Sequence, residues 1–145
     1  MNATVYADTS LLVSLYLADA NTPAALAAVS GAARPLILTS WQQFELENAF
    51  QLRIFRGESS RADIAAAEAH VTADVAAGVL VEEPLPVASV LPVARQLTAR
   101  HSAIVGSRAF DVFHVAAAVH LKASRFLTFD ARQLALARAA GLRTA

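Results

Sequence analysis

Four carboxylates stand in four separate segments of the chain: Asp8, Glu45, Asp111 and Asp130. Asp8 closes the apolar run Val5-Tyr6-Ala7, and Asp130 closes Phe126-Leu127-Thr128-Phe129, so both directly follow segments that read as short buried strands. Ligands of open α/β sheets gather at that edge. Glu45 and Asp111 fall on predicted helices, where an acid without a partner is hard to explain by packing. Convergent carboxylates suit a hard divalent cation, Mg²⁺ or Mn²⁺, which takes oxygen ligands and keeps several of its waters. The pattern suggests a metal-dependent nuclease.

Each acid also has a purely structural reading. Asp is a favoured helix N-cap, worth about 0.5–2 kcal/mol, and both Asp8 and Asp130 sit where a helix begins. Glu45, at about 100° per residue, projects with Trp41, Ala49 and Leu52 on an apolar sector of its helix, whereas Glu47 points toward Gln43 and Gln51. A charge on a packed face needs a cation or dedicated donors, and Arg53 is a candidate structural partner for it. Asp111 lies in the first turns of a helix that Ser107 would cap, on a face with Arg108, Val115 and Ala118. An ion pair with Arg108 or His114 is its alternative to a ligand role. Arg108, Arg125 and Arg132 lie close to the acids and are candidates for phosphate contacts, with a solvated helix face as the plainer reading. No histidine mechanism is expected: His114 and His120 project from divergent faces of one helix, and His70 and His101 are isolated. Each reads as a packing or surface residue.

The elements that must position these acids alternate. Ala3 to Ala7 reads as a strand, Thr9 to Leu17 and Pro23 to Ser30 as helices, and Leu36 to Thr39 as a second strand. Helices over Trp41 to Arg56 and Arg61 to Ala77, stopped by Gly57 and Gly78, lead into a strand at Val79 to Val81. A helix from Ser89 to Arg100, another from Arg108 to Ala123, a strand from Arg125 to Phe129 and a helix ending at Gly141 complete the pattern. The tail Leu142-Arg143-Thr144-Ala145 is a candidate fifth strand. Alternation of this kind implies a parallel sheet covered on both faces.

Composition sets the outer bounds. The 145 residues, 56% of them hydrophobic, are expected to form a single domain spanning 1–145. Without cysteine there is no disulfide, thiolate metal site or cysteine nucleophile. The N-terminus lacks the features of a signal peptide, and no apolar run has the length of a membrane span, so a cytoplasmic protein with no membrane partner is expected. Twelve basic against twelve acidic residues argue against coating nucleic acid by bulk charge, while leaving room for a nucleic-acid enzyme.

Four segments, in order and over essentially the whole chain, carry a family resemblance. They are Val5-Tyr6-Ala7-Asp8-Thr9-Ser10, then Thr39-Ser40 followed by Phe44-Glu45-Leu46, then Arg108 to Ala118 around Asp111, and Phe126 to Ala135 around Asp130. Together they resemble the PIN-domain ribonucleases, and most closely the VapC-type toxins of type II toxin–antitoxin pairs. The resemblance implies a three-layer α/β/α sandwich around a parallel sheet of order 3-2-1-4-5. It implies an acidic pocket of Asp8, Glu45, Asp111 and Asp130, supported through hydrogen bonds by Ser10 and Thr128. In that pocket Asp8 is expected as the central metal ligand and Asp111 as its closest partner, with Glu45 and Asp130 bound directly or through water. The implied activity is hydrolysis of RNA by a metal-activated water, leaving a 5′-phosphate and a 3′-hydroxyl.

Rival readings fit less well. A haloacid-dehalogenase-type phosphatase would carry a second aspartate where this chain has Ser10, and a receiver domain would need a late lysine on a strand, whereas the sole lysine, Lys122, is on a helix. A stand-alone RNA-processing nuclease and a catalytically silent PIN-like binding module remain the alternatives. The helix from Trp41 carries Trp41, Phe44 and Leu52 on one side and Leu46, Phe50 and Ile54 on the other, more apolar surface than one core contact normally buries. From this stripe and the resemblance, a homodimer and an antitoxin covering the groove toward the acids are expected, with a helix packed on both sides as the alternative.

Overall fold

A computed structural model describes residues 4–32 and 35–144. Four short strands, β1 (Val5–Ala7), β2 (Leu36–Thr39), β3 (Leu80–Glu83) and β4 (Arg125–Leu127), form one parallel sheet in the order β3-β2-β1-β4. Parallel strands need crossovers, and helices supply them. They are α1 (Thr9–Tyr16), α2 (Thr22–Ala32), α3 (Ser40–Phe55), α4 (Arg61–Ala76), α5 (Val87–Leu97), the single turn α6 (Ala103–Val105), α7 (Ala109–His120) and α8 (Ala131–Ala139).

The alternation of side chains along each strand sorts the helices into two layers. Val5, Ala7, Leu36, Leu38, Leu80 and Leu127 pack against apolar residues of α1 to α4. Tyr6, Ile37 and Phe126, one residue out of phase, pack against α5, α7 and α8. Because both faces are covered, β1 and β2 are buried at every position. The result is a three-layer α/β/α sandwich.

Thr39 and Gln42 close a capping box at the start of α3, and Ser60 and Asp63 close another at α4, which fixes where both helices begin. The expected uninterrupted helix from Ser89 to Arg100 is different in the structure. It begins earlier, where the Pro86 carbonyl accepts from Ser89 and Val90 N–H, and passes at Thr98–Ser102 into a π-helical turn before α6. Gly106, at φ +75°, ends this stretch in a left-handed conformation that suits glycine.

The expected order 3-2-1-4-5 is met at four of its five positions. Beyond β4 the tail makes one parallel bridge, Phe126 to Thr144, and the Phe126 N–H donates to the Arg143 carbonyl at 2.8 Å. One bridge is too little for a strand, although it lies where the fifth would run. Ala3 and Ala145, the outer ends of the expected first and fifth strands, fall outside the described residues.

Candidate active site

Asp8 leaves β1 at the seam with β4, where its N–H donates to the Leu127 carbonyl at 2.9 Å. It occupies the N-cap position of α1, yet its carboxylate makes no capping bond. One oxygen, Oδ2, instead accepts from the Ser10 hydroxyl. Asp130 behaves differently and does cap its helix: Oδ1 accepts from Gln133 N–H at 2.8 Å. The Thr128 hydroxyl accepts from the Asp130 N–H at 3.0 Å and so fixes the turn that presents this acid.

Glu45 on α3 is held by two donors on a single oxygen. The Thr9 hydroxyl donates to Oε1 at 3.0 Å, and His114 Nε2 lies 2.6 Å from the same atom. On the far side of that ring, the Tyr6 hydroxyl is 2.7 Å from His114 Nδ1. Burial pushes the Tyr6 phenol well above its ordinary range, against a hydrogen bond from Thr39, with the charges of Glu45 and Asp8 adding to the rise. The suggested Glu45 partner, Arg53, is engaged elsewhere, 2.9 Å from Asp19 and 3.3 Å from Glu58. Asp19 is itself held below the ordinary carboxylate value. Partial burial raises it, and donors from Ser14, Asn21 and Arg53, with the Arg53 charge, outweigh that.

Asp111 lies in the first turn of α7, and its Oδ2 accepts from Arg108 Nε at 3.1 Å. Of its two candidate partners, therefore, Arg108 is the one it uses, while His114 goes to Glu45. The cap of this helix is Arg108, whose backbone is extended, rather than Ser107 as its residue type suggests. The Arg108 guanidinium also stands 3.9 Å from Asp130 Oδ2. Its hydrogen bond and charge interaction with Asp111 hold it above its ordinary value, with smaller contributions from Asp130 and Asp8.

All four acids line one cleft of about 550 Å³, together with Ser10, Asp19, Arg53, Arg56, Arg108 and His114. Arg132 does not line it, since α8 turns Gln133 inward and leaves Arg132 exposed. Arg125 is likewise outside the lining. Sequence spacing could have found residues it missed: Arg56 recurs at helical intervals with Glu45, Ala49 and Leu52, and all four line the cleft. His114 follows Asp111 by one helical turn, and Tyr6 shares the strand face of Asp8.

The donor chemistry fits a hard divalent cation. Each acid has one oxygen held by a protein donor, and the other has no hydrogen-bond partner among the described residues, apart from the long Arg108 contact to Asp130. Among the described residues no three Asp, Glu or His side chains close into a ready-made cage.

The PIN domain family model matches residues 5–141. Among solved structures, the chain resembles VapC20 of Mycobacterium tuberculosis, a sarcin-ricin loop cleaving toxin, with a TM-score of 0.61 and 21% identity over 90% of this chain and 93% of that one. It also resembles PAE2754 of Pyrobaculum aerophilum, with a TM-score of 0.59 and 21% identity over 98% of this chain and 83% of that one. No curated protein matches the sequence. At such identities the two structural likenesses establish the fold.

Proposed function

The chain belongs to the PIN domain family, and from that premise we propose that it is a divalent-metal-dependent endoribonuclease, the toxin of a toxin–antitoxin pair, working as one domain in the cytoplasm. The observation that carries the catalytic reading is the cleft into which Asp8, Glu45, Asp111 and Asp130 converge, each with an oxygen left over.

In this reading Asp8 and Asp111 are the principal ligands of Mg²⁺ or Mn²⁺, and Glu45 and Asp130 complete the set directly or through water. When bound, such an ion supplies a water of lowered pKa and offsets charge that develops on the phosphate. The chain's own residues do the rest. Ser10 and the Thr9–His114 pair keep two carboxylates aimed, Thr128 keeps the Asp130 turn, and Arg108 and Arg56 at the cleft offer guanidinium donors to RNA phosphates.

The partner reading rests on a second surface. An apolar groove of about 500 Å³ runs between α3, α5 and α7, lined by Trp41, Leu91, Val112 and Phe113 among others, and Phe110 borders both this groove and the acidic cleft. Phe44 and Leu52 of the Trp41, Phe44 and Leu52 stripe stay exposed while Leu46 and Phe50 on the other side of α3 are buried, and Phe110 on α7 is more than half exposed. The Trp41 indole N–H is buried there without an acceptor among the described residues. A homodimer and an antitoxin segment that reaches the acids along this groove fit such a surface. Among the described residues no helix is long and apolar enough to cross a membrane.

Single-turnover cleavage of RNA by purified wild type, Asp8→Asn and Asp111→Asn tests the assignment. Each substitution should lower the rate at least about 100-fold with the fold intact. Wild-type turnover in both variants would mean that the pocket is misassigned, and no turnover by the wild type with Mg²⁺ or Mn²⁺ present would leave the silent binding module as the better reading.

A further inference from the structure

We infer that Tyr6 and His114 form a buried positioning relay whose task is to orient Glu45, so that one carboxylate oxygen is committed to the protein and the other is presented to the cleft. The inference rests on the nuclease reading above and adds two residues that do not touch the substrate.

The geometry supports a directional chain. Glu45 Oε1 can only accept, so the imidazole nitrogen 2.6 Å away, Nε2, carries a hydrogen in either charge state of the ring. In the neutral ring this leaves Nδ1 as an acceptor, and the Tyr6 hydroxyl 2.7 Å away donates to it. Glu45 thereby fixes the tautomer, and the Tyr6 hydroxyl, which can donate as well as accept, supplies the hydrogen that Nδ1 of this tautomer takes. The ring has little freedom to do otherwise. His114 is 2% exposed and Tyr6 is fully buried, and Tyr6 is stacked on Phe126 at 5.6 Å and set edge-on to His114 at 5.9 Å.

The second donor argues that the purpose is aim and not mere satisfaction of a buried histidine. Thr9 converges on the same Oε1, although Oε2 has no partner among the described residues. Two donors from different elements, α1 and α7, on one oxygen fix the rotation of the carboxylate about its last bond. A histidine needing only a partner for its N–H would be equally satisfied by either oxygen. Residues that orient ligands in this manner typically change metal affinity or activity by about 10–100-fold when altered.

The test uses the full chain and two substitutions that separate the two ring nitrogens. In His114→Gln the longer amide can place an N–H near the position of Nε2, whereas in His114→Asn the shorter amide lies near Nδ1 and cannot reach Glu45. Mn²⁺ binding by titration calorimetry, which needs no RNA, is the first readout; RNA cleavage at saturating substrate is the second. His114→Gln should bind Mn²⁺ within about threefold of wild type, and His114→Asn should bind about tenfold more weakly or worse, with melting temperatures lowered alike. The cleavage rate at saturation should follow the same order with KM for RNA unchanged.

Equal losses in the two variants, in step with their melting temperatures, would overturn the relay and leave a structural histidine. If neither variant folds, Tyr6→Phe, which keeps the ring, decides: weaker Mn²⁺ binding supports the relay and unchanged binding overturns it. A wild type that binds Mn²⁺ but cuts no RNA would instead remove the nuclease reading, with the Mn²⁺ comparison still deciding the relay.

Discussion

The Arg108 guanidinium lies 3.1 Å from the Asp111 carboxylate, so a side-chain cation already rests against one of the proposed metal ligands. Arg108 is largely exposed and can swing away at little cost, and an ion entering the cleft must compete with it. Arg108→Ala is therefore expected to tighten Mg²⁺ or Mn²⁺ binding by about two- to fivefold while weakening RNA binding, because the same guanidinium is the proposed phosphate donor. Calorimetry for the metal and filter binding of RNA in calcium check the two halves. Parallel loss of both affinities would show that Arg108 supports the acids and does not compete for them.

The Asp19 to Arg53 pair predicts an acid-side loss of stability. The folded carboxyl of Asp19 lies below its ordinary value, so its contribution is fully present above the unfolded value near pH 4 and is lost as pH falls through the folded one. Asp19→Asn should cost about 1–2 kcal/mol at pH 7 and flatten the stability curve below pH 4. Urea unfolding of both proteins from pH 2.5 to 7 reads this directly. A constant difference at all pH values would remove the ion pair from the account.

Phe44 and Phe110 predict self-association. Their side chains are 61% and 62% exposed, so Phe44→Ser and Phe110→Ser should leave monomer stability within about 1 kcal/mol. Sedimentation at micromolar concentration should give a dimer for wild type and a larger monomer fraction for the double variant. A wild type that sediments as a monomer would withdraw the dimer.

Much of this arrangement was legible in the sequence because it depends on short-range rules. Strand periodicity put Asp8 at the end of β1 and Asp130 just after β4, although β4 stops at Leu127 and not at the expected Phe129, and helical spacing put Glu45 on a face that cannot be solvent alone. What spacing could not supply is which distant residue meets which. Glu45 and His114 touch only because α3 and α7 both converge on the carboxyl edge of β1, and no local pattern links them. For the same reason Arg53 looked free to serve Glu45, although Asp19 and Glu58 had taken it. Ser107 has the residue type of a cap and Arg108 does not, yet the extended backbone at Arg108 decides the start of α7. The tail past Leu142 carries too few residues for its pattern to distinguish a strand from the single bridge that forms.

Like charges in the cleft predict how metal and stability are linked. With four carboxylates lining one space, Asp8→Asn should be as stable as wild type or more so without metal. Added Mg²⁺ should raise the melting temperature of wild type by several degrees and that of Asp8→Asn much less. Equal shifts would mean that the ion binds elsewhere.

The most direct test of the central claim is RNA cleavage by the purified chain as Mg²⁺ or Mn²⁺ is removed by EDTA and then restored, with the product ends identified. Cleavage should vanish with the chelator, return with the ion, and leave 5′-phosphate and 3′-hydroxyl ends, since no cysteine and no histidine pair is available to replace a metal-activated water. Undiminished cleavage in excess EDTA, or products ending in 2′,3′-cyclic phosphate, would contradict it.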